Sequence, residues 1–450
     1  MKRIIDYYLR QWCTDSIRQP LILNGARQVG KTHAVRELGK AFDSFVEINF
    51  ERQPEIGKIF EIDLSPVRLI KELSFLTKKE IIPGKTLLFF DEIQETPKVL
   101  ISLRYFYEEM KELHVIAAGS LLDFTIQKVG VPVGRVEFLH MYPMSFIEFL
   151  AAMGEHLIIK EILIHEPQET LSPTVHEKYL RLIAEYLALG GMPGVIERWQ
   201  STTQARECER TQSRILTSYT QDFSKYATEK QIPYVELLFK AIPKQLGKKF
   251  KYSDIEGDYR KRELQPALNL LQTAGVVHKV YDCAGQGTPI GAQADPSDYK
   301  TIFLDVGLAQ SLNELDLSAW FLNPAQEFIN KGAIVESFVG QELLAYSDPT
   351  RMSQLYYWHR NAPSSTAEID YLIQQGNSII PIEVKGGVGT TLKSMHTFLS
   401  THTQSPYGLR FSTQNYSVFE NISSYPLYAV AKVATEGHEE QRKAIEALTR

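Results

Sequence analysis

The stretch from Gly25 to Thr32, GARQVGKT, constrains the fold of this chain more than any other. It reads glycine, four variable residues, glycine, lysine and threonine. The apolar run Pro20–Asn24 before it is typical of a strand, and Thr32–Lys40 after it is typical of a helix. A glycine turn can match such a pattern by chance, but these flanks predict a phosphate-binding loop that joins a strand to a helix.

The chemistry of such a loop follows from its residue types. Glycines let the backbone turn its N–H groups towards phosphate oxygens, and the start of a helix adds a positive dipole end. We expect Lys31 to reach the β- and γ-phosphates and Thr32 to ligate Mg²⁺. ATP and Mg²⁺ are therefore the expected cofactors. The predicted nucleotide-binding residues of the loop are Gly25, Ala26, Arg27, Gln28, Val29, Gly30, Lys31, Thr32 and His33.

A second motif, which is acidic, supports this prediction. Thr86–Phe90 (TLLFF) is typical of a buried strand, and it is followed by Asp91 and Glu92. Ligands bind at the carboxyl ends of strands in open parallel sheets, so both carboxylates are expected beside the loop. Asp91 would hold Mg²⁺ and Glu92 would polarise the attacking water. Taken alone, the pair could instead begin the next helix as a cap, but with Gly25–Thr32 it indicates an NTPase.

Two further residues are candidates for the same site. Ser120 follows the apolar strand His114–Ala118, where it could sense the γ-phosphate. Alternatively, or in addition, it caps a helix over Leu121–Ile126. Arg135 could stabilise phosphoryl charge, within one chain or across a subunit interface. The alternative for Arg135 is a solvated surface side chain.

Composition limits the other classes of function. The 450 residues predict two to four domains, and the net charge of −5 excludes a generally basic nucleic-acid coat. The three cysteines, Cys13, Cys208 and Cys283, are widely spaced, which favours a reducing compartment without disulfides or a zinc site. The N-terminus lacks the apolar core of a signal peptide, and no run is long enough for a membrane span. We therefore expect a cytoplasmic protein without a membrane partner.

Strands that alternate with helices predict an α/β fold with a doubly wound parallel sheet from Ile4 to Leu150. Four motifs indicate one family among the proteins with this fold: GARQVGKT, FFDEIQ, AAGS and a GR followed by YPMSFIEFL. With them the chain resembles the AAA-type ATPases of bacteria and archaea that carry a C-terminal domain of unknown function. The resemblance implies an AAA-type P-loop core over residues 1–170 and a helical lid over 171–230. Such cores often assemble into rings, so a homo-oligomer is one expectation.

Residues 231–300 show two helical patterns and an alternating strand, which is the outline of a winged helix. The resemblance implies a similar module here. Between Lys244 and Arg262 there are seven basic residues against three acidic ones, a local balance of +4. Such a segment suits contacts with the phosphates of DNA or RNA. A solvated helical face or a protein-binding surface would have the same composition.

Residues 301–450 carry a second set of candidate residues. Asp370 lies in a strand-like run, and Glu383 and Lys385 share one face of the next run, across a hairpin. Asp370 and Glu383 are predicted to hold Mg²⁺, Lys385 to act in catalysis, and Glu336 on a helix to add a ligand. The set resembles the PD-(D/E)xK core of restriction-endonuclease-like folds, to which the ATPase family has been related. The alternative for Glu383 and Lys385 is an ion pair on a sheet face.

After these strands we expect a loop at 386–389, a helix over Leu392–Leu399 and a last strand over Leu427–Ala434. The whole sequence thus predicts an ATP-hydrolysing AAA-type protein with a nuclease-like C-terminal domain. That domain would act on or bind nucleic acid under nucleotide control. The alternative is a nucleotide switch whose nuclease-like domain is catalytically silent and binds a protein partner.

Overall fold

The computed structural model describes residues 1–130, 132, 134–360, 367–387 and 392–449. The chain forms two compact units. The first unit comprises Met1–Tyr142 with Asp348–Met352, and the second comprises Pro143–Ser347 with the described residues from Ser353 onward. Among the described residues, none of the helices has both the length and the apolar character that crossing a membrane requires.

The first unit alternates helices and strands, as the sequence predicts. Its elements are α1 (Ile5–Thr14), β1 (Leu21–Asn24), α2 (Lys31–Gly39), β2 (Ser44–Asn49), α3 (Pro66–Thr77), β3 (Thr86–Asp91), α4 (Pro97–Glu109), β4 (His114–Ala118), α5 (Leu122–Val129) and β5 (Glu137–His140).

The five strands form one parallel sheet in the order β2-β3-β4-β1-β5. Every residue of β1, β3 and β4 is buried, as is usual for a parallel sheet covered by helices on both faces. Since β4 lies between β1 and β3, the sheet places the ends of the Gly25 and Asp91 strands one strand apart. This edge is therefore where the phosphate loop meets the acidic pair Asp91 and Glu92.

The second unit begins with helices. These are α6 (Phe146–Ala152), α7 (His156–Ile164), α8 (Pro173–Leu189), α9 (Pro193–Thr202), α10 (Ala205–Tyr226), α11 (Ile232–Ala241) and α12 (Lys261–Thr273). Strands and helices then alternate: β6 (Val277–Cys283), β7 (Ala294–Phe303), α13 (Val306–Leu312), α14 (Ser318–Leu322), α15 (Pro324–Asn330), α16 (Gly332–Ala345), β8 (Leu355–His359), β9 (Glu368–Gln375) and β10 (Ser378–Lys385). The unit ends with α17 (Lys393–Thr401), β11 (Gly408–Ser412), β12 (Ser417–Phe419), β13 (Ile422–Pro426), α18 (Val430–Ala434) and α19 (Glu439–Ala447).

These eight strands form one mixed sheet in the order β12-β13-β11-β10-β9-β8-β6-β7. The hairpin β6–β7 follows two helices, in the order predicted for the winged-helix-like segment. Because β6 pairs with β8, this hairpin shares a sheet with the strands of residues 301–450. The first unit also ends at Tyr142, short of the predicted core boundary at 170. The four-part domain division, the helical lid and the winged helix remain predictions.

One secondary-structure prediction is wrong. Leu427–Ala434 is not a strand: Leu427–Ala429 form a 3-10 turn and Val430–Ala434 form the helix α18. Its apolar residues from Leu427 to Ala431 and Val433 are buried, and a short buried run has no periodicity that separates strand from helix. The three alanines favour the helix. Of the loop expected at 386–389, residues 388 and 389 lie outside the described residues.

Candidate functional site

The loop between β1 and α2 has the backbone that close phosphate binding needs. Gln28 and Gly30 have φ of 63° and 105°, so the chain turns sharply just before α2. At Gly25 a Cβ atom would lie 2.3 Å from the carbonyl oxygen of Met141, so only glycine fits there. Positive φ on either side of Val29 is the kind of backbone in which neighbouring N–H groups turn towards an anion.

Lys31, the first residue of α2, is buried in this loop. Its ammonium donates hydrogen bonds to the carbonyl oxygens of Gly25 at 2.6 Å and Ala26 at 2.8 Å. Burial lowers the pKa of Lys31 to about 8, although the nearby Glu92 and Asp91 carboxylates favour the charged form. The Lys31 side chain can thus gain or lose its proton near pH 8. A bound phosphate would favour the ammonium form.

Asp91 and Thr32 come into direct contact. The Thr32 hydroxyl donates to Asp91 Oδ2 at 3.1 Å, and the Asn49 amide donates to the same oxygen at 3.1 Å. Burial, and then the Glu92 carboxylate, raise the pKa of Asp91. Hydroxyl and carboxylate oxygens are the ligands that Mg²⁺ prefers. Thr32 and Asp91 are therefore the residues that would hold the ion.

Glu92 lies one residue further, with φ of 54°. The Gln94 amide donates to Glu92 Oε2 at 2.5 Å, and the Ser120 hydroxyl lies 3.5 Å from the same oxygen, at the far limit of a hydrogen bond. The N-cap position of α5 is Leu121, and no side chain caps that helix. Ser120 is thus placed beside Glu92 rather than as a helix cap.

Arg135 has different neighbours. Its Nε donates to Glu108 Oε1 at 3.1 Å, and its guanidinium lies 5.7 Å from the centre of the Tyr107 ring. Both partners are on α4, and the side chain is 45% exposed. These contacts favour the surface alternative for Arg135 in this conformation.

Three polar residues at this site were not predicted from the sequence. Asn49 and Gln94 orient the two carboxylates, as described above. The Asn24 side chain accepts from the Gly25 N–H at 2.8 Å and donates to Asp123 Oδ1 at 2.9 Å. Asn24 and Asn49 each end a strand of the parallel sheet, and a polar residue at that position is the signal that would have found them.

In the second unit, Lys300 gathers three carboxylates. Its ammonium lies 2.9 Å from Glu336 Oε1 and 3.6 Å from Asp370 Oδ1, and it is also paired with Glu368. Burial disfavours the charged amine, but the carboxylates outweigh this effect and raise the pKa of Lys300. One ammonium does not neutralise three carboxylates, and burial raises the pKa of Glu336. We call Lys300, Glu336, Glu368 and Asp370 the lysine-centred cluster.

Glu383 and Lys385 form a separate contact. Lys385 Nζ lies 2.7 Å from Glu383 Oε1, as the ion-pair alternative describes. Asp370 Oδ2 accepts from the Val384 N–H at 2.7 Å, which joins β9 to β10. Asp370 is therefore bonded on one oxygen to the sheet and near Lys300 on the other. The metal and catalytic roles of Glu336, Asp370, Glu383 and Lys385 remain predictions.

Within the described residues, only one group of three histidine or acidic side chains places its ligand atoms within 4.8 Å of one another: Asp282, Asp298 and His359. His359 Nδ1 lies 3.0 Å from Asp282 Oδ1, and Asp298 accepts from the Tyr357 hydroxyl at 2.6 Å. Lys249 is also paired with Asp298. These contacts give each of the two carboxylates a side-chain partner.

The basic segment Lys244–Arg262 lies on the surface. All seven of its basic side chains are exposed: Lys244, Lys248, Lys249, Lys251, Arg260, Lys261 and Arg262. Lys249 pairs with Asp298, and Lys261 lies 5.9 Å from the centre of the Tyr252 ring. The segment leads into the N-terminus of α12, where Lys261 and Arg262 add to the positive end of the helix dipole.

Comparison with known family models gives three matched segments. Residues 17–150 match the family model described as an AAA domain. Residues 180–319 match a domain of unknown function, DUF8612, and residues 331–430 match another, DUF4143. A search among curated proteins found no match. The chain is similar to the structure of a Walker-type ATPase of Pyrococcus abyssi, with 15% identity, a TM-score of 0.45, and coverage of 69% of this chain and 95% of that chain.

The AAA match confirms the type of core predicted for the N-terminal part. The match at 331–430 agrees with a domain of unknown function towards the C-terminus, whereas the nuclease-like core remains a prediction. The matched residues 17–150 contain the loop, Lys31, Asp91 and Glu92. This part of the chain therefore matches an AAA domain, and its loop and acidic pair agree with the P-loop ATPase core predicted from the sequence.

Proposed function

We propose that the first unit binds ATP with Mg²⁺ at Gly25–Thr32 and hydrolyses it with Glu92 as the residue that orients the water. The Thr32–Asp91 hydrogen bond carries this proposal, because it joins the phosphate loop to the acidic strand. Mg²⁺, when bound, would neutralise phosphate charge. Lys31 would bind the β- and γ-phosphates, and Gln94 would hold the Glu92 carboxylate in place.

ATP turnover by the purified full chain tests this proposal. Lys31→Ala should abolish turnover while the variant unfolds at a temperature close to that of the wild type. Lys40→Ala is the matched control, since Lys40 follows the same helix and is exposed. Turnover in Lys31→Ala equal to that of the control would refute the assignment of the site.

For the second unit we propose nucleic-acid binding without cleavage, under the control of the nucleotide. The exposed basic segment Lys244–Arg262 supports phosphate contacts. The lysine-centred cluster argues against cleavage, because Lys300 already supplies a cation to Glu336 and Asp370. The competing candidates are a metal-dependent nuclease and a domain that binds a protein partner.

Labelled DNA and RNA, incubated with Mg²⁺ or Mn²⁺ and with or without ATP, distinguish these candidates. We expect salt-sensitive binding that weakens in a Lys248→Glu/Lys251→Glu variant, and no cutting. Metal-dependent cutting that Asp370→Ala abolishes would establish the nuclease instead. Absence of binding at low salt would leave a protein partner as the remaining candidate.

A further inference from the structure

Arg3 lies outside the matched AAA segment, yet it contacts the phosphate loop. It is only 6% exposed. Its Nη1 donates to the carbonyl oxygen of Val29 at 2.7 Å, and its Nη2 donates to the carbonyl oxygen of Tyr142 at 2.9 Å. Both acceptors belong to the main chain, so the contact depends on the backbone path and not on the side chains at these two positions.

The contact with Val29 sets the direction of the next N–H group. The peptide bond between Val29 and Gly30 is trans, because the cis bond found in the described chain is at Thr288–Pro289. In a trans peptide the C=O and the following N–H point in opposite directions. When Arg3 holds the Val29 carbonyl, the Gly30 N–H therefore points away from Arg3.

The contact with Tyr142 anchors the other side of the loop. The Met141 N–H donates to the carbonyl oxygen of Asn24 at 2.8 Å, and the Met141 carbonyl lies against Gly25. Tyr142 is the next residue along this chain segment. One guanidinium thus joins the segment behind Gly25 to the residue before Gly30, and so spans both glycines of the motif.

An arginine is well suited to bind the two carbonyl groups at once. A guanidinium offers several N–H donors in a planar fork, whereas a lysine ammonium is a single point of charge. Burying a charge is unfavourable unless it is hydrogen-bonded, and both carbonyls meet that need here. The helix α1, which begins at Ile5, keeps Arg3 in place by burying Ile5, Tyr8, Leu9 and Trp12.

We propose that Arg3 is a positioning residue for the phosphate loop. It holds the Val29–Gly30 peptide so that the Gly30 N–H faces the phosphates, and its charge adds to the positive potential of the loop. This inference rests on ATP binding at Gly25–Thr32, and it extends the site to a residue that precedes the matched domain.

The test compares Arg3→Gln and Arg3→Lys with a control, Arg10→Gln. Arg10 lies within α1 and is exposed. Each full-length variant is assayed for KM and kcat with ATP, for binding of ATP and of adenosine, and for thermal unfolding. Arg3→Gln should raise KM for ATP roughly tenfold, about the effect of losing one charge-assisted hydrogen bond. Arg3→Lys should fall between Arg3→Gln and the wild type, and Arg10→Gln should match the wild type.

Amide exchange of the peptide that contains Gly30 provides a readout independent of turnover. It should become faster in Arg3→Gln than in Arg10→Gln. A variant that only unfolds earlier, with KM and loop exchange unchanged below its transition, would overturn the proposal. If Arg3→Gln does not fold, Arg3→Lys decides by the same two measurements. Failure of the wild type itself to bind ATP would instead refute the proposed function.

Discussion

The Thr32 hydroxyl donates a hydrogen bond to Asp91 Oδ2 at 3.1 Å, which links the phosphate loop to the end of β3. The two residues lie 59 positions apart in sequence. Their contact follows from the sheet, in which β1 and β3 are separated only by β4. A hydroxyl and a carboxylate at this distance offer adjacent oxygen ligands, which is the arrangement that a Mg²⁺-dependent phosphate site requires.

Substitutions of Thr32 should therefore alter the dependence on Mg²⁺. Thr32→Ser keeps the hydroxyl and should keep turnover close to that of the wild type. Thr32→Val keeps the shape but loses the oxygen, so it should need more Mg²⁺ and turn over ATP roughly a hundredfold more slowly. Rates measured across a Mg²⁺ titration check this. Equal Mg²⁺ dependence in the two variants would remove Thr32 from the metal site.

Glu92→Gln should separate binding from hydrolysis. The amide keeps the size of the side chain but is a much weaker base, so turnover should fall by roughly a hundredfold to a thousandfold. The Kd for ATP should change little. Glu95→Gln is the matched control, since Glu95 is exposed in the same segment. A Glu92→Gln variant as active as Glu95→Gln would exclude Glu92 as the residue that orients the water.

The pKa of Lys31 predicts how ATP affinity depends on pH. Burial lowers this pKa to about 8, so the free protein carries the ammonium below that pH and the neutral amine above it. Phosphate binding needs the ammonium, hence kcat/KM for ATP should decline as the pH rises through about 8. In Lys31→Arg the guanidinium stays charged, and any residual activity should lose this decline. A profile that is flat through this range in the wild type would contradict the role of Lys31.

Lys300→Met should create a need for another cation in the second unit. The variant keeps an unbranched apolar stem but leaves Glu336, Glu368 and Asp370 without their ammonium. Breaking such a buried ion pair should lower the free energy of unfolding by roughly 3 kcal/mol. Mn²⁺ or Ca²⁺ should then raise the melting temperature of the variant more than that of the wild type.

Lys178→Met controls for the loss of a lysine, because the Lys178 side chain is 55% exposed and pairs with a different, partly exposed carboxylate, that of Glu155. Its melting temperature should change little, since an ion pair at the surface contributes about 0–1 kcal/mol. A wild-type protein stabilised by Mn²⁺ as strongly as Lys300→Met would show that Lys300 does not take the place of a metal ion.

The sequence predicts the site residues that belong to contiguous motifs and misses those that come together only in the folded chain. Gly25–Thr32 and Asp91–Glu92 are contiguous motifs beside strongly apolar strands, and the structure brings them to one edge of the sheet. Lys300 was not found, because it lies 36 residues from Glu336 and further from Asp370, outside the motifs that the sequence shows. The pairing of β7 with β6, β6 with β8 and β8 with β9 places Lys300 and Asp370 in one sheet. Contacts of α16 with β7 bring Glu336 to the same place. Arg3 was also missed. Its partners are main-chain carbonyl groups, which every residue has, so the sequence gives no sign of them.

Calorimetric titration of the full-length protein with Mg²⁺ and a non-hydrolysable ATP analogue tests the central claim most directly, with Lys31→Ala and Lys40→Ala titrated in parallel. The account predicts one binding site per chain in the wild type and in Lys40→Ala, and little or no binding in a folded Lys31→Ala. A folded wild type that takes up no nucleotide, or a Lys31→Ala variant that binds as tightly as the wild type, would contradict it.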